Sequence, residues 1–177
     1  MEIYYSAFNS EMQKRKPTRL KEYDYSSPGA YFITICTKDR KRILSEIIVG
    51  DGVLDVPQNK LTYYGKIADK YIRQMNDYYD QISVDKYVIM PNHIHMIITI
   101  SEDEKPNGSS GTPTPTNSLI PKFVSTFKRY CNRKYSMPIW QRSFHDHIIR
   151  GEKDYLKIWE YIDTNVLKWE DDCFYNE

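Results

Sequence analysis

The sequence predicts an α+β fold, a ferredoxin-like single domain in which helices pack against an antiparallel sheet. Three observations carry this. Tyr31 to Thr37 reads YFITICT, dense in β-branched and aromatic residues as a strand would be. Ile82 to Met90 and His95 to Ile100 are two more strand-like runs, joined across Pro91-Asn92 by a turn short enough for an antiparallel hairpin. Leu61 to Tyr79 and Ser118 to Lys134 carry the apolar spacing of amphipathic helices. With 177 residues the chain has length for one principal core.

In chain order, the first strand places Phe32, Ile33 and Ile35 in a sheet covered on at least one face. The segment after it, through Asn59, holds Gly50-Asp51-Gly52 and Pro57 and predicts an irregular hairpin or a solvated excursion. In the first helix Tyr64, Ile67, Ala68, Tyr71, Ile72 and Met75 form the apolar stripe, and Gly65 weakens it locally. Along the second strand of the hairpin, Ile94, Met96 and Ile98 take the core face. Residues 102–117, containing PNGSSGTPTPTN, read as a flexible insertion, since they offer little apolar surface to offset the entropy of ordering. The second helix runs on Phe123, Phe127 and Tyr130, whose spacing matches helix burial. Phe144 to Arg150 reads as a strand and Glu152 to Lys168 as a last helix, with Leu156, Trp159, Ile162 and Val166 as its buried stripe. The order strand, helix, two strands, helix, strand, helix places the helices against one sheet face and makes the ferredoxin-like topology the economical one.

Charge is unevenly distributed. The formal total is only +1, yet Ser118 to Arg150 holds seven bases against Asp146 alone, a net of +6, while Gly151 to Glu177 is net −5. Three cysteines without metal or redox spacing read as reduced thiols. Neither a signal peptide nor a membrane span is legible, so the expectation is a soluble cytoplasmic protein with no membrane partner. Residues 1–25, with KRKPTR, read as a basic arm that either attracts phosphate or solubilises the chain.

All four histidines fall into two H-x-H pairs, His93/His95 and His145/His147. Residues two apart on a strand share a face, so each pair can present two imidazoles to one divalent ion. If the two strands met, the four could form a structural zinc site, in a protein with no nucleic-acid role. Asp146 points away from its neighbours, which argues against a His-Asp relay. Tyr161 and Asn165 are one turn apart on the last helix, so the phenol and an amide carbonyl can approach the same ion. A phenol titrates near 10 and needs activation or a polarised electrophile to attack at neutral pH. Lys122, Lys128, Arg129, Arg133 and Lys134 on the second helix, extended by Gln141, Arg142 and Arg150, have the donors for a phosphate backbone. Trp140 reads as a packing residue.

Taken in order, YFITICTKDR, YVIMPNHIHMIITI, FKRY, IWQRSFHDHIIR and EYIDTN resemble the IS200-like transposases, especially the repeat-associated tyrosine transposase branch, from about Tyr31 to Lys168. The resemblance implies a catalytic domain over residues 26–168 followed by an acidic tail, 169–177. It further implies that His93 and His95 bind Mg2+ or Mn2+ with Asn165 as a third polar ligand. Tyr161 would cleave single-stranded DNA beside a hairpin, through a 5′-phosphotyrosine with release of a 3′-hydroxyl. The expected partner is hairpin-containing single-stranded DNA, such as repetitive extragenic palindromes, with the protein on the nucleoid when bound. Two departures stand out: Val166 follows Asn165 where the branch commonly has proline, and His145 occupies a position more often aromatic. A DNA-hairpin binder with weak or no catalysis is the alternative. The sequence leaves open whether one chain or a homodimer assembles the site.

Overall fold

The computed structural model describes residues 23–49, 56–102 and 118–175. The Gly50-Asp51-Gly52 excursion, the KRKPTR arm and all but the first residue of the 102–117 insertion lie outside the described residues. The elements are β1 (Gly29–Cys36), β2 (Ser45–Ile48), β3 (Gln58–Leu61), α1 (Tyr63–Tyr78), β4 (Ile82–Ile89), β5 (His93–Ile100), α2 (Leu119–Tyr135), β6 (His145–Ile148) and α3 (Glu152–Thr164). One sheet has the order β4-β5-β1-β6, and β2 and β3 form a separate two-stranded hairpin. All the pairings are antiparallel.

Side-chain alternation explains how the layers sort. Tyr31, Ile33 and Ile35 of β1 and Ile94, Met96, Ile98 and Ile100 of β5 point to one face, where they meet Ile67, Ala68, Ile72 and Met75 of α1 and Phe123 and Phe127 of α2. Thr62 caps α1, its side chain accepting from the Gly65 amide. Gly65 has a packing cause: a Cβ there would lie 2.0 Å from the Leu44 carbonyl oxygen, so only glycine lets the helix seat on that strand entry. Trp140 is buried against Phe127, as its sequence context predicts. Tyr130 differs from expectation, since it is only partly buried and lies on the outer seam between α1 and α2 against Tyr71 and Tyr78.

The last helix departs from the sequence reading in three ways. It crosses to the opposite sheet face, where Ile158 and Ile162 cover Ile97, Phe32 and Val88. The physical reason is that the other parity of the sheet strands, though it carries the histidines, also holds Ala30, Phe32, Val88 and Ile97, which have to be sealed. Its buried side runs through Tyr155, Ile158, Ile162 and Asn165, so the stripe is rotated from the expected one and Leu156 is 57% exposed. It also stops at Thr164, and Asn165 turns inward as its cap. The chain then folds back through a short 3-10 turn, Trp169–Asp171. Among the described residues, no helix is long and apolar enough to cross a membrane.

Candidate metal centre and nucleic-acid groove

His93 and His95 begin β5 and point to the face that α3 covers. Both are essentially fully buried, with ring centroids 4.3 Å apart. Their outer nitrogens are fixed by neighbours on the sheet. Asn92 Nδ2 donates to the Phe174 carbonyl at 2.8 Å, which turns Asn92 Oδ1 toward His93 Nδ1, also at 2.8 Å. An amide oxygen only accepts, so His93 Nδ1 carries the proton and Nε2 presents a bare lone pair. That Nε2 is buried and, among the described residues, has no hydrogen-bond partner. His95 Nδ1 lies 2.8 Å from Thr34 Oγ1, a hydroxyl that can donate or accept and therefore tolerates either tautomer.

The third group comes from the segment after α3. Asp172 Oδ2 lies 4.0 Å from His93 Nε2 and 3.9 Å from His95 Nε2, with its side chain 1% exposed. Asn165 Nδ2 donates to that same oxygen at 2.9 Å and the Phe174 amide donates to Oδ1 at 2.7 Å. Asn165 is itself 2% exposed, and its buried Oδ1 has no hydrogen-bond partner among the described residues. Two imidazole nitrogens and a carboxylate oxygen, all within 4.8 Å of one another, form a donor set that suits a divalent cation, and Asn165 turns its amide nitrogen toward that carboxylate. The orphaned buried atom of the cluster, His93 Nε2, is the observation that makes the fit, because such an atom costs free energy unless a ligand occupies it.

Tyr161, on α3, reaches this cluster from the same chain. Its hydroxyl is 3.2 Å from His95 Nε2 and donates to Asp172 Oδ2 at 3.0 Å, and its ring stands edge-on to Phe32. With its one proton given to Asp172, the phenol oxygen can accept only from a His95 Nε2–H; binding a metal through that nitrogen requires the other tautomer, which the Thr34 hydroxyl also accommodates. Burial first, and then the Asp172 carboxylate, raise the Tyr161 hydroxyl well above the ordinary phenol range. Burial alone would raise the Asp172 carboxyl, but hydrogen bonds involving His95, the Phe174 amide and Asn165 outweigh it and hold Asp172 below the usual carboxylate range. Desolvation pushes His93 down to about 2, reinforced by His95, and burial lowers His95 as well. Both imidazoles are thus kept neutral, the form that binds metal.

The second histidine pair does not join the first. His145 and His147 do lie on the same sheet face as His95, but Thr34 of β1 sits between His95 and His145 in the register. Two strand spacings, about 10 Å, separate the pairs at the backbone, so the four-histidine zinc arrangement is excluded by topology. His147 pairs instead with Asp154 at 2.8 Å, and Asp146 faces the other way, accepting from Tyr25 at 2.7 Å. Cys36 and Cys131 are buried and Cys173 is exposed, all three as free thiols.

The basic residues separate into groups. Lys128, Arg129, Arg133 and Arg142 line one groove of about 750 Å3 between α2 and residues 136–144. Lys128 also braces its wall, donating to the Gln141 and Ser143 carbonyls at 2.8 and 2.7 Å. Lys122, Lys134 and Arg150 are exposed but are not among its lining residues, and the Gln141 backbone amide is bonded to the Cys36 carbonyl.

Sequence reasoning missed Asp172, Thr34 and Asn92. The signal for Asp172 was the aromatic content of a segment otherwise read as an acidic tail. Trp169 packs 5.9 Å and Phe174 4.7 Å from the His93 ring, which draws the carboxylate between them over the histidines.

No protein-family model matches the chain. It is 33% identical over 181 aligned positions, covering 95% of this chain and 97% of the relative, to an uncharacterized protein of Haemophilus influenzae. A second Haemophilus influenzae protein, provisionally assigned as a REP-associated tyrosine transposase, is 25% identical over 149 positions, 82% of this chain and 74% of that one. Among solved structures, a REP-associated tyrosine transposase bound to a REP hairpin superposes with a TM-score of 0.58 at 20% identity, covering 85% of this chain and 73% of its own.

Proposed function

From a chain that belongs to one family with the uncharacterized Haemophilus influenzae protein and is distantly related to REP-associated tyrosine transposases, we propose a metal-dependent single-stranded DNA endonuclease and strand transferase of the HUH type that acts beside hairpins. The single observation that carries this reading is the convergence of Tyr161 on the His93, His95 and Asp172 cluster within one chain. The strand order β4-β5-β1-β6 in a strand-helix-strand-strand-helix-strand frame supports the ferredoxin-like description of its scaffold.

His93, His95, Asp172 and Asn165 would hold the divalent cation, Mg2+ or Mn2+. When bound, the ion supplies Lewis-acid polarisation of the scissile phosphate. Asn92 and Thr34 orient the two imidazoles, the supporting role that outer partners play at metal sites. Phe32, stacked on His95 at 5.1 Å and edge-on to Tyr161, holds the nucleophile beside the ligands. Tyr161 Oη attacks the phosphorus, the bond from phosphorus to the 3′ oxygen breaks, and the products are a 5′-phosphotyrosine and a free 3′-hydroxyl. Rejoining reverses the exchange and regenerates the phenol. Asp172 Oδ2 would be both a ligand atom and the acceptor that keeps the phenol protonated, so a cation held there would weaken one of the causes that hold Tyr161 neutral, burial remaining the largest. The α2 groove, with Arg129, Arg133 and Arg142, takes the hairpin phosphates, and Lys122, Lys134, Gln141 and Arg150 extend that path.

A second reading rests on the protonated, carboxylate-bonded Tyr161: a hairpin-binding protein with weak or no cleavage. Incubation with labelled single-stranded hairpins in magnesium or manganese separates the two. The proposal expects a protein-linked DNA species that survives denaturation, whereas tight binding without that species selects the second reading.

A further inference from the structure

The seam between α1 and α2, on the sheet face opposite the metal cluster, holds a row of aromatic side chains whose outer members, Tyr78 and Tyr130, lie outside the core cluster. On α1 the tyrosines recur at seven-residue intervals, Tyr64, Tyr71 and Tyr78, which keeps them on one side of the helix. At the inner end packing accounts for them: Tyr64 meets the buried Tyr135, whose hydroxyl donates to the Tyr64 carbonyl at 2.6 Å. At the outer end packing does not. Tyr130 lies nearly parallel to Tyr71, with centroids 5.7 Å apart and planes at 20°, and tilted against Tyr78 at 5.8 Å and 33°. Tyr78 nevertheless leaves 62% of its surface to solvent. The Arg129 guanidinium lies 5.7 Å from the Tyr130 ring centre. Arg133 and Lys134 are exposed one turn further along, and α2 carries no acidic residue in its whole length.

We infer that Tyr78 and Tyr130, with Arg129 beside them, form a stacking platform for unpaired nucleobases of the bound DNA, separate from the metal cluster. The largely exposed Tyr78 ring, beside a guanidinium that lies over Tyr130, matches the π-surface of a base, and the surrounding cations match the backbone that carries it. Arg129 faces both this platform and the α2 groove, so a hairpin stem seated in the groove brings unpaired residues of its loop or its flank within the platform's reach. This inference rests on the nucleic-acid part of the proposed function and is independent of whether Tyr161 cleaves.

The test uses the full chain carrying Tyr161→Phe, so that cleavage cannot alter the probe, and three labelled hairpins with one common stem. The first has a thymine loop and no flank. The second has an abasic loop and no flank. The third has an abasic loop and a base-bearing flank. The platform predicts that the first or third binds about ten-fold more tightly than the second, the gain expected from stacking one base. Adding Tyr78→Ala should remove that gain while leaving the abasic probe's affinity unchanged. Tyr78→Phe should keep it, since the ring remains, and Arg129→Gln should reduce it. The first and third probes distinguish loop from flank. Equal affinity of the parent protein for all three hairpins overturns the inference, as does a gain that persists in Tyr78→Ala. The presence or absence of a covalent adduct with unsubstituted Tyr161 reports on the nuclease reading alone.

Discussion

Asp172 Oδ2 accepts the Tyr161 hydroxyl proton at 3.0 Å while lying within 4.0 Å of both histidine Nε2 atoms. One carboxylate therefore ties the candidate nucleophile to the candidate metal ligands. Asp172→Asn removes the charge that helps hold the phenol protonated and also weakens the donor set. Divalent-metal affinity should fall and the Tyr161 titration should move down toward its ordinary range. Isothermal titration with Mn2+ and ultraviolet titration of the tyrosines read the two effects separately, the second against a Tyr161→Phe background.

The Asn92 side chain holds the His93 tautomer that frees Nε2. Asn92→Ala should weaken Mn2+ binding by about 10- to 100-fold, the usual cost of removing an outer partner of a metal-ligating histidine. An affinity equal to that of the unsubstituted chain would show that the ring is oriented by packing alone.

Stability should be lost on the acid side in the metal-free protein. His93 is pushed down to about 2 by burial, whereas an unfolded histidine titrates near 6.5, so below about 6.5 the unfolded chain takes up a proton that the folded one refuses. The slope is about 1.4 kcal/mol per pH unit for each such imidazole, and His95 shifts in the same direction. Asp172 acts in the same direction at lower pH, a depressed carboxyl whose contribution is present above its unfolded value near 3.9 and is lost as pH falls further. Thermal unfolding followed from neutral to acid pH should steepen below about 6.5, and His93→Gln should flatten that limb.

The rotated stripe of α3 is open to a direct comparison. Ile162, 2% exposed against Ile97, should cost about 2–5 kcal/mol when cut to alanine. Leu156, 57% exposed, should change stability by no more than about 0.5 kcal/mol. Denaturant unfolding of the two variants checks both.

Sheet strands and the first two helices were legible because their periodicities are set by one face each, as in Ile94, Met96 and Ile98 or Ile67, Ala68 and Ile72. The histidine pair was legible for the same reason, since alternation alone puts His93 and His95 on one side. The phase of α3 was not. That helix has apolar residues at Tyr155, Leu156, Ile158, Trp159 and Ile162, too wide an arc to say which part is buried without the sheet that receives it. Asp172 was hidden because its position depends on a chain reversal after Asn165, which is driven by Trp169 and Phe174 packing on the His93 ring and leaves no periodic trace.

Arg129 and Arg133 line the same groove. Replacing both with glutamine should lower hairpin affinity and reduce the slope of log affinity against log salt by about 1.4 to 1.8, one released counterion for each lost phosphate contact. An unchanged slope would move the phosphate path elsewhere.

The most direct test of the central claim is to identify the residue that carries DNA. The protein is incubated with a labelled single-stranded hairpin in manganese, the denatured protein-linked product is digested, and the modified peptide is sequenced by mass spectrometry. The account predicts a 5′-phosphate on Tyr161, in the peptide containing EYIDTN, and loss of the product in Tyr161→Phe with hairpin binding retained. A 5′-phosphate on any other of the 16 tyrosines, or an undiminished product from Tyr161→Phe, would contradict it.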